Sequence, residues 1–307
     1  MRWTWPTIWA GERGGWWRLT ATLALLLGGA ALGLMLSFAA VPAGSRGALG
    51  NPANPANMKE LVRLFAGLLP KALALAGLLA GIRFVHHKPI RCVFTDGRPF
   101  RIGFAAQSAA LWWLLWFVGM IAQPQGWERL ARRAGEIAPV WWPVLTLSLL
   151  GASAVAVTLE EVFFRGYLQT RVAAWAKRPW LAVGITALLF TGVHVGGNLA
   201  AYAAIAFAGV LFGIVCIRAG TLAPLLGMHI AHDLLEVLWH PNDTNAGATG
   251  VDVVVWVVGL LIWFGWLLWA TRSRPIDSLA QPSGTANGSQ PFRSETNRTS
   301  PAAGSRR

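Results

Sequence analysis

Eight apolar runs divide this chain, and most are long enough to cross a bilayer: 19–41, 61–85, 102–122, 140–159, 180–194, 199–217, 222–239 and 251–270. A spanning helix needs about 20 residues at 1.5 Å per residue. In lipid every backbone N–H and C=O must be satisfied within the structure, so such runs fold as helices. The chain is therefore expected to be all-α, a polytopic transmembrane helical bundle of about eight spans. Composition agrees: 13% of the 307 residues are charged and 55% hydrophobic, with a mean hydropathy of +0.49. Soluble domains carry about 25% charged residues, so an ordinary soluble enzyme and a disordered chain are both excluded. Eighteen Trp fit a protein with much membrane–water interface.

The first run has a competing reading as a signal peptide. A signal core is about 7–15 apolar residues, and this run is longer, so it reads as a spanning helix. The fourth run is expected to stay helical to about Val172. The fifth and sixth look short, with the Gly-rich stretch 192–198 between them. Broken backbone at membrane depth is tolerated only against protein or a wet cavity, so this break points to a site. Pro70 and Lys71 interrupt the second run; a kink is expected there, with the lysine snorkelling or turned inward.

Lys and Arg set the orientation. With the N-terminus inside, Arg2, Arg13, Arg18, Lys88, Arg91, Arg98, Arg101, Arg171, Lys177, Arg178, Arg218, Arg272 and Arg274 are cytoplasmic, and Arg46 and Lys59 are outside. The bias predicts N-in and C-in. Segment 123–137 carries Glu128, Arg129, Arg132, Arg133 and Glu136 and reads as an interfacial amphipathic helix. Three regions follow: N-terminal helices and the interfacial helix over 1–139, a core over 140–270, and a disordered cytosolic tail over 271–307.

The net charge is +13 and the pI about 11.4. The basic residues sit in short loops, without aromatic interleaving on a soluble fold. Anionic lipid is therefore the expected partner, and nucleic acid is not. Cys92 and Cys216 form no C-x-x-C pair, which predicts neither a disulfide framework nor a thiolate metal site.

Ionisable residues inside apolar runs cost at least about 2.5–3.5 kcal/mol each and face the bundle interior. Three clusters stand out. In Glu160-Glu161-Val162-Phe163-Phe164-Arg165, Glu161 and Arg165 are four apart and can pair, while Glu160 points about 100° away. Phe190 and His194 share a face. In His229-Ile230-Ala231-His232-Asp233, His229 and Asp233 are one turn apart, a natural orienting pair. Each cluster alone could be a structural polar contact. Counted from the expected cytosolic helix ends, Glu160, His194 and His229 lie roughly 18, 21 and 10 Å deep at 1.5 Å per residue, so all three can reach one cavity.

Glu-Glu-x-x-x-Arg, then Phe-x-x-x-His, then His-x-x-x-Asp, in that order inside apolar segments, resembles the CPBP family: CAAX prenyl protease 2 and the bacteriocin-processing intramembrane proteases, also called Abi. The likeness covers roughly 140–239. It implies an intramembrane endopeptidase of glutamic type, acting on a membrane-associated protein or peptide. Glu160 would be the general base on water, His194 would help hold that water, and His229 would stabilise the oxyanion. Asp233 would complete the catalytic set, with Glu161, Arg165 and Phe190 in support. His232 matches no motif position and is expected to line the site. An ionised Asp233 cannot donate to an oxyanion, so it either orients His229 or carries a proton.

The resemblance implies no cofactor. The alternative is zinc held by Glu160, His194 and His229, although no H-E-x-x-H is present. Two other readings compete: a non-proteolytic relative acting in immunity or binding, and a small transporter using these residues as a proton relay. The first half lacks a second set of polar, broken helices, which disfavours transport. An Ala-, Gly- and Arg-rich, lysine-poor composition suggests a bacterial inner membrane.

Overall fold

The computed structural model describes residues 8–9, 15–40, 58–123, 126–136, 139–194, 198–239 and 250–272. The expected tail falls beyond Arg272 and outside the described residues, as do 195–197 of the Gly-rich break. Regular structure among the described residues is helical, apart from one isolated bridge between Thr95 and Thr221.

The helices are α1 (Gly15–Ala40), α2 (Met58–Ala80), α3 (Ile102–Ala122), α4 (Gly126–Glu136), α5 (Trp142–Glu161), α6 (Thr170–Ala176), α7 (Pro179–Gly192), α8 (Leu199–Ala219), α9 (Ala223–Trp239) and α10 (Gly250–Ala270). Six stretches are long and apolar enough to cross a membrane: α1, Leu64–Val85, α3, Pro139–Ala176, α8 and Val253–Ala270. The other two apolar runs form the shorter α7 and α9, of 14 and 17 residues. The molecule is a polytopic helical bundle. Its two short helices are the ones that bring in the histidines.

Two boundaries differ from the sequence reading. The fourth run stays helical to Ala176, and its middle, Val162–Gln169, winds as π-helix. The sixth run is not short: α8 has 21 residues, because the helix continues through Arg218 and Ala219 until Gly220 adopts φ +64°. That left-handed conformation suits glycine and ends the helix. The amphipathic helix forms as expected in α4, which buries Gly126 and Leu130 and exposes Trp127, Glu128 and Arg132.

Small residues let α1 and α2 pack backbone to backbone. A Cβ at Gly33 would stand 2.5 Å from the Pro70 Cα, and one at Gly29 would stand 2.2 Å from the Leu73 carbonyl. The helix runs through Pro70 rather than ending there. Proline has no N–H, so the Ala66 carbonyl loses its helical donor. The Ser37 hydroxyl on α1 donates to that carbonyl instead.

The start of α9 is held from three sides. Leu222 N donates to Phe94 O at 2.9 Å and Asp96 N to Gly220 O at 3.0 Å, tying the α8–α9 turn to the α2–α3 loop. Trp263 on α10 donates to Ser108 on α3, and Ser108 donates to the Pro224 carbonyl, both at 2.7 Å. Beside the turn, Arg98 pairs with the buried Asp96 at 3.2 Å. Burial pushes the Asp96 carboxyl up, and the Arg98 charge opposes that rise.

Candidate active site

The last turn of α5 presents two adjacent glutamates to different surroundings. Glu161 is fully buried, whereas the Glu160 side chain is 29% exposed. Neighbouring residues on a helix point about 100° apart, which separates a structural carboxylate from an open one. Glu161 Oε1 accepts from Arg165 Nη1 at 3.3 Å and from His229 Nδ1 at 2.8 Å. A buried ion pair is tolerated only with good geometry and further polar partners. Arg165 has aromatic ones: its guanidinium lies 4.1 Å from the Phe190 ring centroid and 5.2 Å from that of Phe212.

Arg165 belongs to the π-helical stretch, a local geometry often found at functional sites. Here it is buried nearly all round. Gln169 donates to the Gly213 carbonyl of α8 at 3.0 Å. Gly166 lies against Val93, where a Cβ would stand 2.1 Å from the carbonyl oxygen. The stretch is thereby locked between α8 and the loop that also holds α9.

His229 sits at the centre. With Nδ1 on Glu161, its Nε2 faces Asp233 Oδ1 at 3.5 Å and Glu160 Oε2 at 3.9 Å. Both carboxylates are partly exposed, so this nitrogen looks into the open part of the site. Phe212 packs against the imidazole, with centroids 5.5 Å apart. The sequence reading offered Asp233 as the group that orients His229. The shorter contact belongs to Glu161, on the other nitrogen.

His194 follows the end of α7. Its Nδ1 donates to the Phe190 carbonyl at 2.7 Å, which leaves Nε2 as the outward nitrogen. Its ring stacks edgewise on Phe190 at 4.6 Å, and Phe190 lies 6.5 Å from His229. Phe190 is thus a wall shared by both imidazoles and the Arg165 guanidinium. Glu160, Glu161 and Asp233 meet His229 directly, and His194 stands one aromatic ring away.

His232 does not line the site, contrary to the sequence reading. It packs between Trp112 of α3 and Trp256 of α10, at 5.6 and 5.9 Å. It precedes Asp233 by one residue and so turns to a different face of α9. Phe212 was missed, because a phenylalanine inside an apolar run gives no sign of packing on a guanidinium.

Among the described residues no three His, Cys, Asp or Glu side chains are grouped to hold a metal ion. Glu160, His194 and His229, the zinc alternative, are accordingly not grouped as a metal site in this arrangement.

Fold and site together define a multi-pass membrane protein with a glutamate–histidine centre inside its helical bundle. Residues 141–235 match the family model described as type II CAAX prenyl endopeptidase Rce1-like. The matched stretch carries the three motifs in their order, and the match bears out the family likeness read from them. No curated protein and no solved structure matches the chain.

Proposed function

We propose that the protein is an intramembrane endopeptidase that hydrolyses a peptide bond of a membrane-associated protein or peptide. The observation that carries this reading is the double engagement of His229: Nδ1 fixed by a buried carboxylate, Nε2 turned toward a second, open one. Glu160 has the exposure a general base needs, and the 3.9 Å separation from Nε2 suits a bridging water. Glu160 takes a proton from that water as it attacks the scissile carbonyl. His229, held in one orientation and carrying a proton on Nε2, donates to the oxygen that gains charge. His194, with its ring fixed by Phe190, presents Nε2 to the same reacting group. The proton held by Glu160 then passes to the leaving amine. With the N-terminus inside, the site opens toward the cytoplasmic half of the bilayer, in a bacterial inner membrane.

Comparative mass spectrometry of membrane peptides from cells carrying the wild type or Glu160→Gln tests the reading. A membrane peptide that is cut in wild-type cells and accumulates whole in Glu160→Gln cells supports it. Identical peptide profiles, with Glu160→Gln keeping the biological effect of the protein, would show instead that it acts by binding.

A further inference from the structure

Leu64, Lys71 and Leu78 recur every seven residues along α2, so they lie within about 20° of one another per repeat. Both leucines face the bundle. Leu64 packs with Leu145 and Leu149 of α5 and with Leu234 and Leu238 of α9, and Leu78 is fully buried in the main core. Lys71, between them on the same inward stripe, is nevertheless exposed. A lysine on this stripe that remains open is placed to reach the carboxylates between these helices.

Its level can be counted. α2 and α5 run the same way, because Leu64 meets the start of α5 and the segment after α2 meets the π-stretch that follows α5. Seven residues on from Leu64 is about 10.5 Å along the axis. The same step from the leucines of α5 reaches 152–156, and on the opposed α9 it reaches 227–231. Glu160 and Asp233 lie about one turn from those levels, within reach of a lysine side chain. Asp233 is 33% exposed, and Lys71 is among the charges acting on it.

The charge inventory gives this placement a meaning. Three carboxylates surround His229, with a single guanidinium, Arg165, in their midst. Glu161 takes that guanidinium. Apart from Arg165, Lys71 is the only Lys or Arg near the middle of a long helix among the described residues. It forms no ion pair within 4.0 Å among the described residues, so its ammonium stays available to a carboxylate across the site.

Building on the endopeptidase reading, we propose that Lys71 is a positioning residue: its ammonium balances the Asp233 carboxylate across the site, and so holds Asp233 beside the open nitrogen of His229, whose ring Glu161 orients. A double-mutant cycle in the full-length protein tests this. In detergent, Lys71→Met lowers the unfolding midpoint when Asp233 is present and loses that effect in an Asp233→Asn background. For cleavage of the peptide that accumulates in Glu160→Gln cells, Lys71→Met lowers kcat by about tenfold with little change in KM, Lys71→Arg restores it, and the Lys71→Met effect shrinks below about twofold in Asp233→Asn. Equal effects of Lys71→Met in both backgrounds, in unfolding and in cleavage, overturn the pairing and leave a lysine that snorkels to the interface. Coupled unfolding midpoints with no peptide accumulating in Glu160→Gln cells keep the pairing and overturn the endopeptidase reading.

Discussion

His229 Nδ1 lies 2.8 Å from Glu161 Oε1, a contact between the second turn of α9 and the last turn of α5, 68 residues apart in sequence. It fixes the imidazole in rotation and leaves one nitrogen for chemistry. The same carboxylate holds Arg165 at 3.3 Å. One buried oxygen therefore sets the relative position of two helices and of two functional side chains.

Because Glu161 and Arg165 are both buried, removing one strands the other's charge. Arg165→Met should lower the unfolding free energy by about 3–5 kcal/mol. Glu160→Gln, at a partly open position, should change it by less than about 1 kcal/mol. Chemical unfolding in detergent micelles, followed by circular dichroism, compares them directly. Equal losses would contradict the division of labour between the two glutamates.

His229→Ala should remove the donor to the developing oxyanion, and cleavage should slow by about 10²–10³ in kcat. Phe190→Leu should act more mildly. It loosens His194 and uncovers the guanidinium, yet leaves the His229–Glu161 contact intact. Single-turnover cleavage by each variant ranks them, and a larger loss for Phe190→Leu would reverse the assignment.

How much of this was legible in the sequence follows from the range of each interaction. The runs of apolar residues set the eight helices, because a bilayer demands a length and internal hydrogen bonding. Glu161 and Arg165 pair locally at four residues' spacing, so their contact could be read directly. The bond from Glu161 to His229 could not. It depends on how α5 and α9 pack, and Asp233 offered a nearer partner in sequence. The π-winding of Val162–Gln169 left no periodic trace, since that stretch is buried on nearly every side. His232 was misplaced for a related reason: neighbouring polar residues on a helix share a sequence motif while facing different helices.

Gly227 allows α9 to approach α3 closely; a Cβ there would stand 2.0 Å from the Ala105 carbonyl oxygen. Gly227→Ala should force the helices apart and cost about 1–3 kcal/mol. Gly227 is two residues before His229, so cleavage should fall with stability. Gly151→Ala, at a position open to 4 Å, is the control and should leave both unchanged.

Asp96 is held near Gly220 with its carboxyl pushed up by burial. A folded-state pKa above the unfolded value means that folding favours the protonated form. That stabilisation is complete below the unfolded value of about 3.8 and is lost as pH rises through the folded one. Asp96→Asn keeps the neutral form at every pH. Its unfolding midpoint should therefore exceed that of the wild type at neutral pH, and the gap should close on acidification. A gap that widens in acid would show the Arg98 ion pair to be the dominant influence.

Metal dependence is the last point open to a direct measurement. His229 Nδ1 is engaged by Glu161 and His194 Nδ1 by the Phe190 carbonyl, so each imidazole could offer a metal only its Nε2. The two rings are separated by Phe190, and the described residues form no group of three metal-binding side chains. A carboxylate-activated water needs no metal to lower its pKa, since Glu160 receives the proton itself. Dialysis against a strong chelator should leave cleavage of the accumulated peptide unchanged, and added zinc should not raise it. Elemental analysis of purified protein should find well under one equivalent of zinc. Loss of activity on chelation with recovery on stoichiometric zinc would assign Glu160, His194 and His229 as ligands, and would require α7 and α9 to close around the ion in the active state.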